Sequence, residues 1–197
     1  MPKTKKTKLP SKLVKYLDDF GIKHEILEHK IVYTAIDAAN TLKREMDEIA
    51  KSLLVKADRD YYLVILPADH NLDFEKLKKF VSKLKNKEVK TIKIPGEKIV
   101  EESLKIKAGA LTAFGNLHKL PVLMEKKMEK AKKAVFSSGS LNHSVEIAVK
   151  DFVKAEKAFL GNFGIKKKIK KQKITASKKV KSNTKKSGAK KVIKKKK

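Results

Sequence analysis

Four short apolar runs constrain the fold more than any other feature of this sequence. They read KSLLVK, YYLVILP, LPVLM and SVEIAV, and they begin at residues 51, 61, 120 and 144. Short runs rich in Leu, Val and Ile are typical of strands buried in a sheet. None approaches the roughly 18 apolar residues that a membrane-spanning helix needs. The runs therefore predict a sheet-containing domain, and we expect no membrane partner.

Amphipathic segments separate these runs. In residues 33–43, Thr34 followed by Asp37 is typical of a helix N-terminus, and Asp73 is placed to cap a helix over 74–84. Helices are predicted for residues 11–21, 33–43, 72–84, 96–105, 125–131 and 150–160, with further strands at 23–29, 89–94, 133–138 and 143–149. Because strands and helices do not alternate strictly, we predict the α+β class: a single domain with a central mixed β-sheet flanked by helices.

The positive charge of the chain is concentrated at its two ends. The net charge is +28, but residues 165–197 hold 17 Lys without an acidic residue, and residues 1–12 hold five more. Subtracting these 22 charges leaves +6 for residues 13–164. We therefore predict a basic extension (1–10), a folded domain (11–160) and a Lys-rich, disordered tail (161–197) that binds the phosphates of nucleic acids. A solubilising tail without a dedicated partner is the alternative.

Several classes of enzyme are excluded by what the sequence lacks. There is no cysteine, which removes disulfides, thiol nucleophiles and thiolate metal sites and suits a cytoplasmic protein. The GxGxxG, GxxxxGK[ST], HExxH and GxSxG motifs are absent, and the five histidines show no metal-ligand spacing. We therefore expect neither a cofactor nor a metal.

Two loops carry residue types suited to a binding site. KAGALTAFGN (107–116) places small residues between Gly109 and Gly115, which lets backbone N–H groups approach a ligand closely. VFSSGSLNHSVEI (135–147) turns around Gly139, between Ser138 and Ser140. Each loop can equally be a turn between core elements, and Thr34 can be a helix cap as well as a ligand contact.

Taken together, these segments resemble the YbaK/prolyl-tRNA-synthetase-associated family of aminoacyl-tRNA deacylases. The resemblance spans roughly residues 11–157 and rests on EHKIVYTAIDAA, EIAKSLLVK, YLVILPADHNLDFEKLKKF, KAGALTAFGN, LPVLME and VFSSGSLNHSVEIAVKDF in the order typical of the family. It implies an editing hydrolase that cleaves the ester of mischarged aminoacyl-tRNA in trans.

The resemblance also implies roles for individual residues. Lys51 in AKSL matches the lysine most closely tied to activity, and Ala113 occupies the position of a usual proline that stiffens the substrate-sorting loop. The implied catalytic residue is Lys51, orienting the substrate through the terminal phosphate or the acyl ester. The implied substrate-binding residues are Thr34, Gly109, Ala110, Leu111, Thr112, Ala113, Phe114, Gly115, Ser138 and Gly139.

The implied partner is tRNA, with its 3′ aminoacyl end in the pocket and its phosphates on the tail, and an aminoacyl-tRNA synthetase is a further candidate. An activated ester is hydrolysed by water without a metal or a covalent nucleophile, and the proton transfer falls to water or to a ribose hydroxyl. The alternative is a catalytically inactive, basic RNA- or DNA-binding protein on the same fold. A structural or ribosome-associated role is a third possibility.

Overall fold

The elements of secondary structure follow one another much as the sequence predicts. The computed structural model describes residues 10–104 and 111–167. The helices are α1 (Ser11–Asp19), α2 (Ala35–Leu42), α3 (Phe74–Leu84), α4 (Glu97–Leu104) and α5 (Val149–Glu156), with 3₁₀ helices at Gly115–His118 and Lys126–Lys130. The strands are β1 (His24–Glu28), β2 (Ala50–Ala57), β3 (Asp60–Pro67), β4 (His70–Leu72), β5 (Ile92–Lys93), β6 (Val122–Glu125), β7 (Lys133–Ser140), β8 (His143–Ala148), β9 (Phe159–Gly161) and β10 (Gly164–Lys166).

A mixed five-stranded sheet forms the centre of the fold. Its strand order is β5-β2-β3-β6-β9, in which β2 and β3 form the predicted antiparallel hairpin and β6 lies parallel to both β3 and β9. This sheet, flanked by helices, confirms the predicted α+β class. The described residues also contain a three-stranded sheet (β1-β8-β7) and a two-stranded sheet (β10-β4). The strand segments are thus distributed over more than the one sheet that the sequence suggested.

Strand β3 reads as a continuous apolar run because both faces of the central sheet are covered. Its residues Leu63 and Ile65 join a core cluster with α1 and α5, whereas Val64 and Leu66 join another cluster with α3. Successive side chains of a strand point to opposite faces, so no position of the run is left for a polar residue.

Two predicted helix caps form hydrogen bonds. The Thr34 hydroxyl accepts from the backbone N–H of Asp37 at 3.1 Å, and a carboxylate oxygen of Asp73 accepts from the N–H of Lys76 at 3.1 Å. These bonds satisfy N–H groups that the first turn of a helix leaves without partners. Of the residues expected on the buried face of α3, Leu77 and Val81 are fully buried, while Phe74 and Leu84 at its ends remain partly exposed.

The C-terminal part of the folded region differs from the prediction. Helix α5 ends at Glu156, well before residue 160, because Lys157 adopts a left-handed conformation (φ 47°). The chain continues as β9 beside β6 and as β10 beside β4. Phe163 is fully buried between these strands. The folded region therefore extends through Lys167, beyond the predicted boundary at residue 160.

A buried carboxylate explains how this C-terminal segment is held. Glu125, only 1% exposed, accepts hydrogen bonds from the backbone N–H groups of Phe163 (2.7 Å) and Gly164 (2.6 Å). A charged acceptor makes such bonds strong, and the burial of the carboxylate is tolerable only because it has these partners. The composition of residues 161–167 gave no sign of this arrangement, because the acceptor lies on β6, far away in the sequence.

Several predicted features lie outside the described residues. These are nearly all of the basic N-terminal extension, the tail from residue 168 onward, and Gly109 and Ala110 of the glycine loop. No helix in residues 10–104 or 111–167 has both the length and the apolar character that a membrane crossing requires.

Candidate functional site

A cavity of about 460 Å³ opens beside the first residues of β2. Helix α2, the segment before α4 and the β7–β8 hairpin form its other walls. Its apolar lining includes Ile49, Leu54, Val100, Leu111 and Val135. Its hydroxyl, imidazole and amine groups belong to His29, Tyr33, Thr34, Lys51, Ser52, Ser137, Ser140 and Ser144. The cavity therefore combines an apolar wall with a small set of polar groups, as ligand sites commonly do.

Lys51 lines this cavity and is half-buried. Its Nζ donates a hydrogen bond to the backbone carbonyl of His70 at 2.5 Å. Burial and, to a lesser extent, the positive charge of Lys167 lower the pKa of the Lys51 amine, and the Asp69 carboxylate acts in the opposite direction; together they bring the pKa to about 8. Near neutral pH, Lys51 is thus a cation that can lose its proton within a modest rise in pH.

The surroundings of the Lys51 amine are polar and tightly connected. Asp69 Oδ1 lies 2.6 Å from His70 Nδ1, and both side chains are buried. Asp69 Oδ2 lies 3.4 Å from Nζ of Lys166. The other ring nitrogen of His70, Nε2, is buried and has no hydrogen-bond partner within the part of the chain that the structure describes. The Asp69–His70 pair fixes the residue whose carbonyl accepts the hydrogen bond from Lys51.

Ser52 is the next residue along β2, and its side chain leaves the strand on the opposite face from Lys51. Ala50 and Leu54, which share its face, belong to the core cluster that contains α1 and α5, whereas Leu53 and Val55 pack with the cluster that contains α3. The Ser52 hydroxyl is buried, and among the described residues it has no hydrogen-bond partner. A buried hydroxyl without a partner is costly, so a ligand oxygen in the cavity would stabilise it.

The described half of the glycine loop is attached to strand β7. Ser137 O accepts hydrogen bonds from the Ala113 backbone N–H (2.9 Å) and from the Thr112 hydroxyl (3.1 Å). Ala113 and Phe114 are fully buried in the core, and a Cβ atom on Gly115 would lie 2.4 Å from the carbonyl oxygen of Leu120. Of the predicted loop residues that the structure describes, Leu111 lines the cavity while Thr112 to Gly115 form its support.

The β7–β8 turn is also divided between support and lining. The Ser138 hydroxyl donates to the carbonyl of His143 at 2.6 Å, and Gly139 has a φ of +85° that favours glycine. These two predicted residues shape the turn and do not line the cavity. Their neighbours Ser137 and Ser140 do. Thr34 does both, since it caps α2 and lines the cavity.

Besides Ser52, the sequence reasoning did not single out the polar cavity residues His29, Tyr33, Ser137 and Ser144. His29 Nδ1 lies 2.8 Å from the carbonyl of Lys30, so this nitrogen is the donor and Nε2 accepts from the Ser144 hydroxyl at 2.9 Å. Tyr33 is 75% exposed at the edge of the cavity. The sequence held only weak signals for these residues. Tyr33 is an aromatic residue next to a helix cap, and Ser52 and Ser144 occupy alternating positions in the apolar runs of β2 and β8. Within the described ranges, no group of three His, Asp or Glu side chains could hold a metal ion.

Comparison with known proteins places this geometry in context. A family model described as an aminoacyl-tRNA editing domain matches residues 29–155, which is more than half of the chain and includes all the cavity-lining residues. The match confirms the resemblance read from the sequence. No curated protein matches the chain.

Solved structures share the fold at low sequence identity. One, described as a candidate trans-editing enzyme for prolyl-tRNA synthetase, has a TM-score of 0.68 at 17% identity, covering 80% of this chain and 99% of that one. The hypothetical protein APE2540 has a TM-score of 0.67 at 20% identity, covering 79% of this chain and 100% of that one. A third, described as a candidate signal transduction protein from Marinobacter aquaeolei VT8, has a TM-score of 0.60 at 14% identity, and the match covers 80% of this chain but only 31% of that one.

Proposed function

This chain belongs to the aminoacyl-tRNA editing domain family, and from that premise we propose that it is a deacylase that hydrolyses the ester of mischarged aminoacyl-tRNA in trans. The observation that carries the proposal is the family match, because it spans every residue that lines the cavity beside Lys51. A cavity of about 460 Å³ with one apolar wall has room for an aminoacyl group and part of the terminal adenosine.

The chemistry asks little of the protein beyond binding and orientation. An aminoacyl ester is already activated, so a water molecule attacks its carbonyl carbon, the C–O bond to the ribose breaks, and the ribose oxygen leaves with a proton. Catalysis then comes from holding the ester in one geometry and from donors that stabilise the developing oxyanion. We assign the accommodation of the acyl side chain to the apolar wall with Leu111, and a hydrogen bond to the substrate to the Ser52 hydroxyl.

Lys51 is the residue to which we assign orientation of the substrate. Its ammonium group has three donors, and one of them is directed at the carbonyl of His70. Within the part of the chain that the structure describes, the remaining donors can serve an anionic or carbonyl oxygen of the substrate. Because the amine is half-buried, such a contact is less screened than one at the surface. The depressed pKa of the amine fits a group tuned by its site rather than a solvated surface lysine.

Tyr33 is the residue to which we assign the terminal adenine. Its ring is exposed beside Thr34 at the edge of the cavity, where an unpaired base would enter. Stacking of a base on an exposed aromatic ring is sequence-tolerant and contributes about 1–3 kcal/mol. A 3′ end that is the same in every tRNA suits this kind of recognition.

The Lys-rich segment 168–197 would add affinity for tRNA phosphates without sequence preference. Ending the chain after Lys167 keeps β10 intact, and we expect it to raise the KM, to flatten the salt dependence of the KM and to leave kcat nearly unchanged. An unchanged KM at physiological salt would contradict this role of the segment.

The decisive experiment is single-turnover deacylation of a panel of mischarged tRNAs by the full-length protein. We expect at least one member to be hydrolysed faster than in buffer, and Lys51→Ala to reduce this activity by about 100-fold. Lys56→Ala is the matched control, since it removes a lysine from the same strand. If no member is hydrolysed, the proposed deacylase activity is wrong, and an inactive RNA- or DNA-binding protein is favoured. The observation that supports this alternative is Ala113 in place of the usual proline.

A further inference from the structure

The C-terminal segment after the family match reaches the candidate site. The family model ends at residue 155, but β9 and β10 follow and are built into the fold. Strand β10 pairs with β4, so that Lys166 lies opposite His70. The backbone N–H of Lys167 donates to the carbonyl of Asp69 at 2.7 Å. Residues outside the family domain are thereby fixed beside the residue that holds Lys51.

Two lysine amines come together at this place. Nζ of Lys51 donates to the carbonyl of His70, and Nζ of Lys167 donates to the carbonyl of Ala68 at 3.0 Å, only two residues earlier. The two charges are close enough for Lys167 to lower the pKa of Lys51. The nearby Asp69 carboxylate is shared by His70 and Lys166. The two ammonium groups repel each other, and an anion that binds between them offsets this repulsion.

Residues at and next to this pair border two cavities. Lys51 lines the 460 Å³ cavity, whereas His70 and Lys166 line a second, open cavity of about 760 Å³. Val135 lines both cavities, which places them next to each other. Lys51 thus borders the first cavity, and His70, whose carbonyl accepts its hydrogen bond, borders the second.

We propose that Lys51 and Lys167 form a phosphate-binding pair that holds the phosphodiester of the terminal nucleotide of tRNA, with Lys167 contributed from outside the family domain. The proposal rests on the proposed function, because it names how the same site binds its substrate. Lys167 is then a substrate-positioning residue. The pair holds the phosphate at a fixed place, so that the terminal adenosine and its ester extend into the smaller cavity.

The test compares adenosine 5′-monophosphate with adenosine as probes, using the full-length protein and calorimetric or fluorescence titration. A charge-assisted contact to the phosphate strengthens binding, so we expect the monophosphate to bind about 10–100-fold more tightly than the nucleoside. Lys167→Ala and Lys51→Ala should each remove most of this preference. Lys79→Ala, which removes an exposed lysine from α3, is the charge-matched control and should keep it.

The pH dependence gives a second readout that a merely structural role would not produce. The preference for the monophosphate should weaken as the pH rises through about 8, where the Lys51 amine loses its proton. In Lys167→Ala, the small preference that remains should be lost at higher pH, because the neighbouring charge is gone. The groups that face Lys51 are the carbonyl of His70, the Asp69 carboxylate and the Lys167 ammonium, with Lys166 bound to the far oxygen of Asp69.

Equal affinity for adenosine 5′-monophosphate and adenosine would refute the proposed phosphate-binding pair. So would a loss of preference in Lys79→Ala as large as that in Lys51→Ala or Lys167→Ala. The outcome is separable from that of the proposed function, because binding of the monophosphate does not require turnover. A preference that depends on Lys51 and Lys167 in a protein without deacylase activity would support the pair and refute the enzyme. Deacylase activity with a KM that Lys167→Ala leaves unchanged would refute the pair and support the enzyme.

Discussion

Strand β2 has a lysine near each end, and the two ends differ in almost every other respect. At the first end, Lys51 is half-buried. Its amine donates a hydrogen bond to a backbone carbonyl, and the pKa of the amine is lowered to about 8. At the second end, Lys56 extends over the ring of Tyr61, with Nζ 5.2 Å from the ring centre. The strand, the residue type and the spacing rules are the same. The difference comes from the surroundings of each end. A cavity lies beside the first end, whereas the second end leads into the tight turn between β2 and β3.

The comparison teaches that the neighbourhood of a lysine, rather than its sequence pattern, distinguishes a site residue from a surface residue. The second end is built for stability. The Asp58 carboxylate accepts hydrogen bonds from the N–H groups of Lys90 and Thr91, and Lys85 forms an ion pair with Asp60. Hydrogen bonds from Thr91 and Lys90 hold the pKa of Asp58 below its usual value. At the first end, by contrast, Ser52 and His70 keep buried polar atoms without partners among the described residues.

The largest effect should come from exchanging the two lysines for alanine one at a time. Lys51→Ala removes a donor from the site, and we expect kcat/KM for deacylation to fall by about 100-fold, in the range found when one oxyanion donor is removed. Lys56→Ala should change it by less than about twofold, since Lys56 does not line the cavity. Initial rates on one mischarged tRNA measure both. Similar losses in the two variants would break the comparison.

A smaller effect should appear in the pH profile. The Lys51 amine is protonated below about pH 8 and neutral above it. If the ammonium form binds substrate, the enzymatic rate constant, corrected for spontaneous ester hydrolysis, falls about tenfold per pH unit above that pKa. Lys56→Ala should show the same profile as the unmodified protein. A rate that keeps rising to pH 9.5 after this correction would exclude a role for the ammonium.

Two tyrosine rings, of which Tyr33 is exposed and Tyr61 partly buried, offer a third comparison. Tyr33 lies at the edge of the cavity, whereas Tyr61 pairs with Lys56 across the hairpin. Tyr33→Ala removes a stacking surface worth about 1–3 kcal/mol, and we expect the KM to rise about tenfold with little change in kcat. Tyr61→Ala should leave the KM unchanged. Tyr33→Phe is the conservative control, because stacking does not need the hydroxyl, and loss of affinity in this variant would argue against a stacking role.

The smallest effect on activity should come from Asp58, although its effect on stability should be measurable. Asp58→Ala removes the acceptor for Lys90 and Thr91, so we expect a lower midpoint of urea unfolding and an unchanged kcat/KM. Because the pKa of Asp58 is lowered in the folded state, its carboxylate stabilises the fold above the ordinary carboxyl pKa. That contribution is lost as the pH falls through the folded pKa. The difference in stability between the unmodified protein and Asp58→Ala should therefore disappear in acid. A loss of activity in Asp58→Ala at neutral pH would contradict the prediction, because it would show that the second end of β2 affects the site at the first.

The sequence predicted the central hairpin, the caps of α2 and α3 and the class of fold, because each depends on local patterns. A run such as YYLVILP has two buried faces wherever it sits in a sheet, and Thr34 caps its own helix through a residue three positions away. The partition into several sheets depends on pairings such as His24 with Ile147, which no local pattern contains. The strand β10 was missed for the same reason, since Glu125 and His70 hold it from distant parts of the chain.

The candidate site was predictable as a set of segments but not as a set of contacts. Lys51, Thr34 and Leu111 were singled out by the resemblance and do line one cavity. Ser138 and Gly139 belong to the same turn as Ser137 and Ser140, but a register shift between Ser137 and Ser140 interrupts the alternation of faces, and only the latter two line the cavity. The direction of a side chain at a turn depends on the register of the strands, which the sequence does not reveal.

The buried carboxylate of Glu125 has a consequence for the smallest protein that can be expected to fold by itself. A chain ended where the family model ends, at residue 155, would lose the N–H groups of Phe163 and Gly164 that this carboxylate needs. Among the described residues, this carboxylate would keep only the longer hydrogen bond from the N–H of Lys127 (3.4 Å), and the space that Phe163 fills would be left open. The autonomous unit of this protein therefore includes about a dozen residues that its relatives' shared pattern does not contain, and any shortened or fused version should retain Lys167.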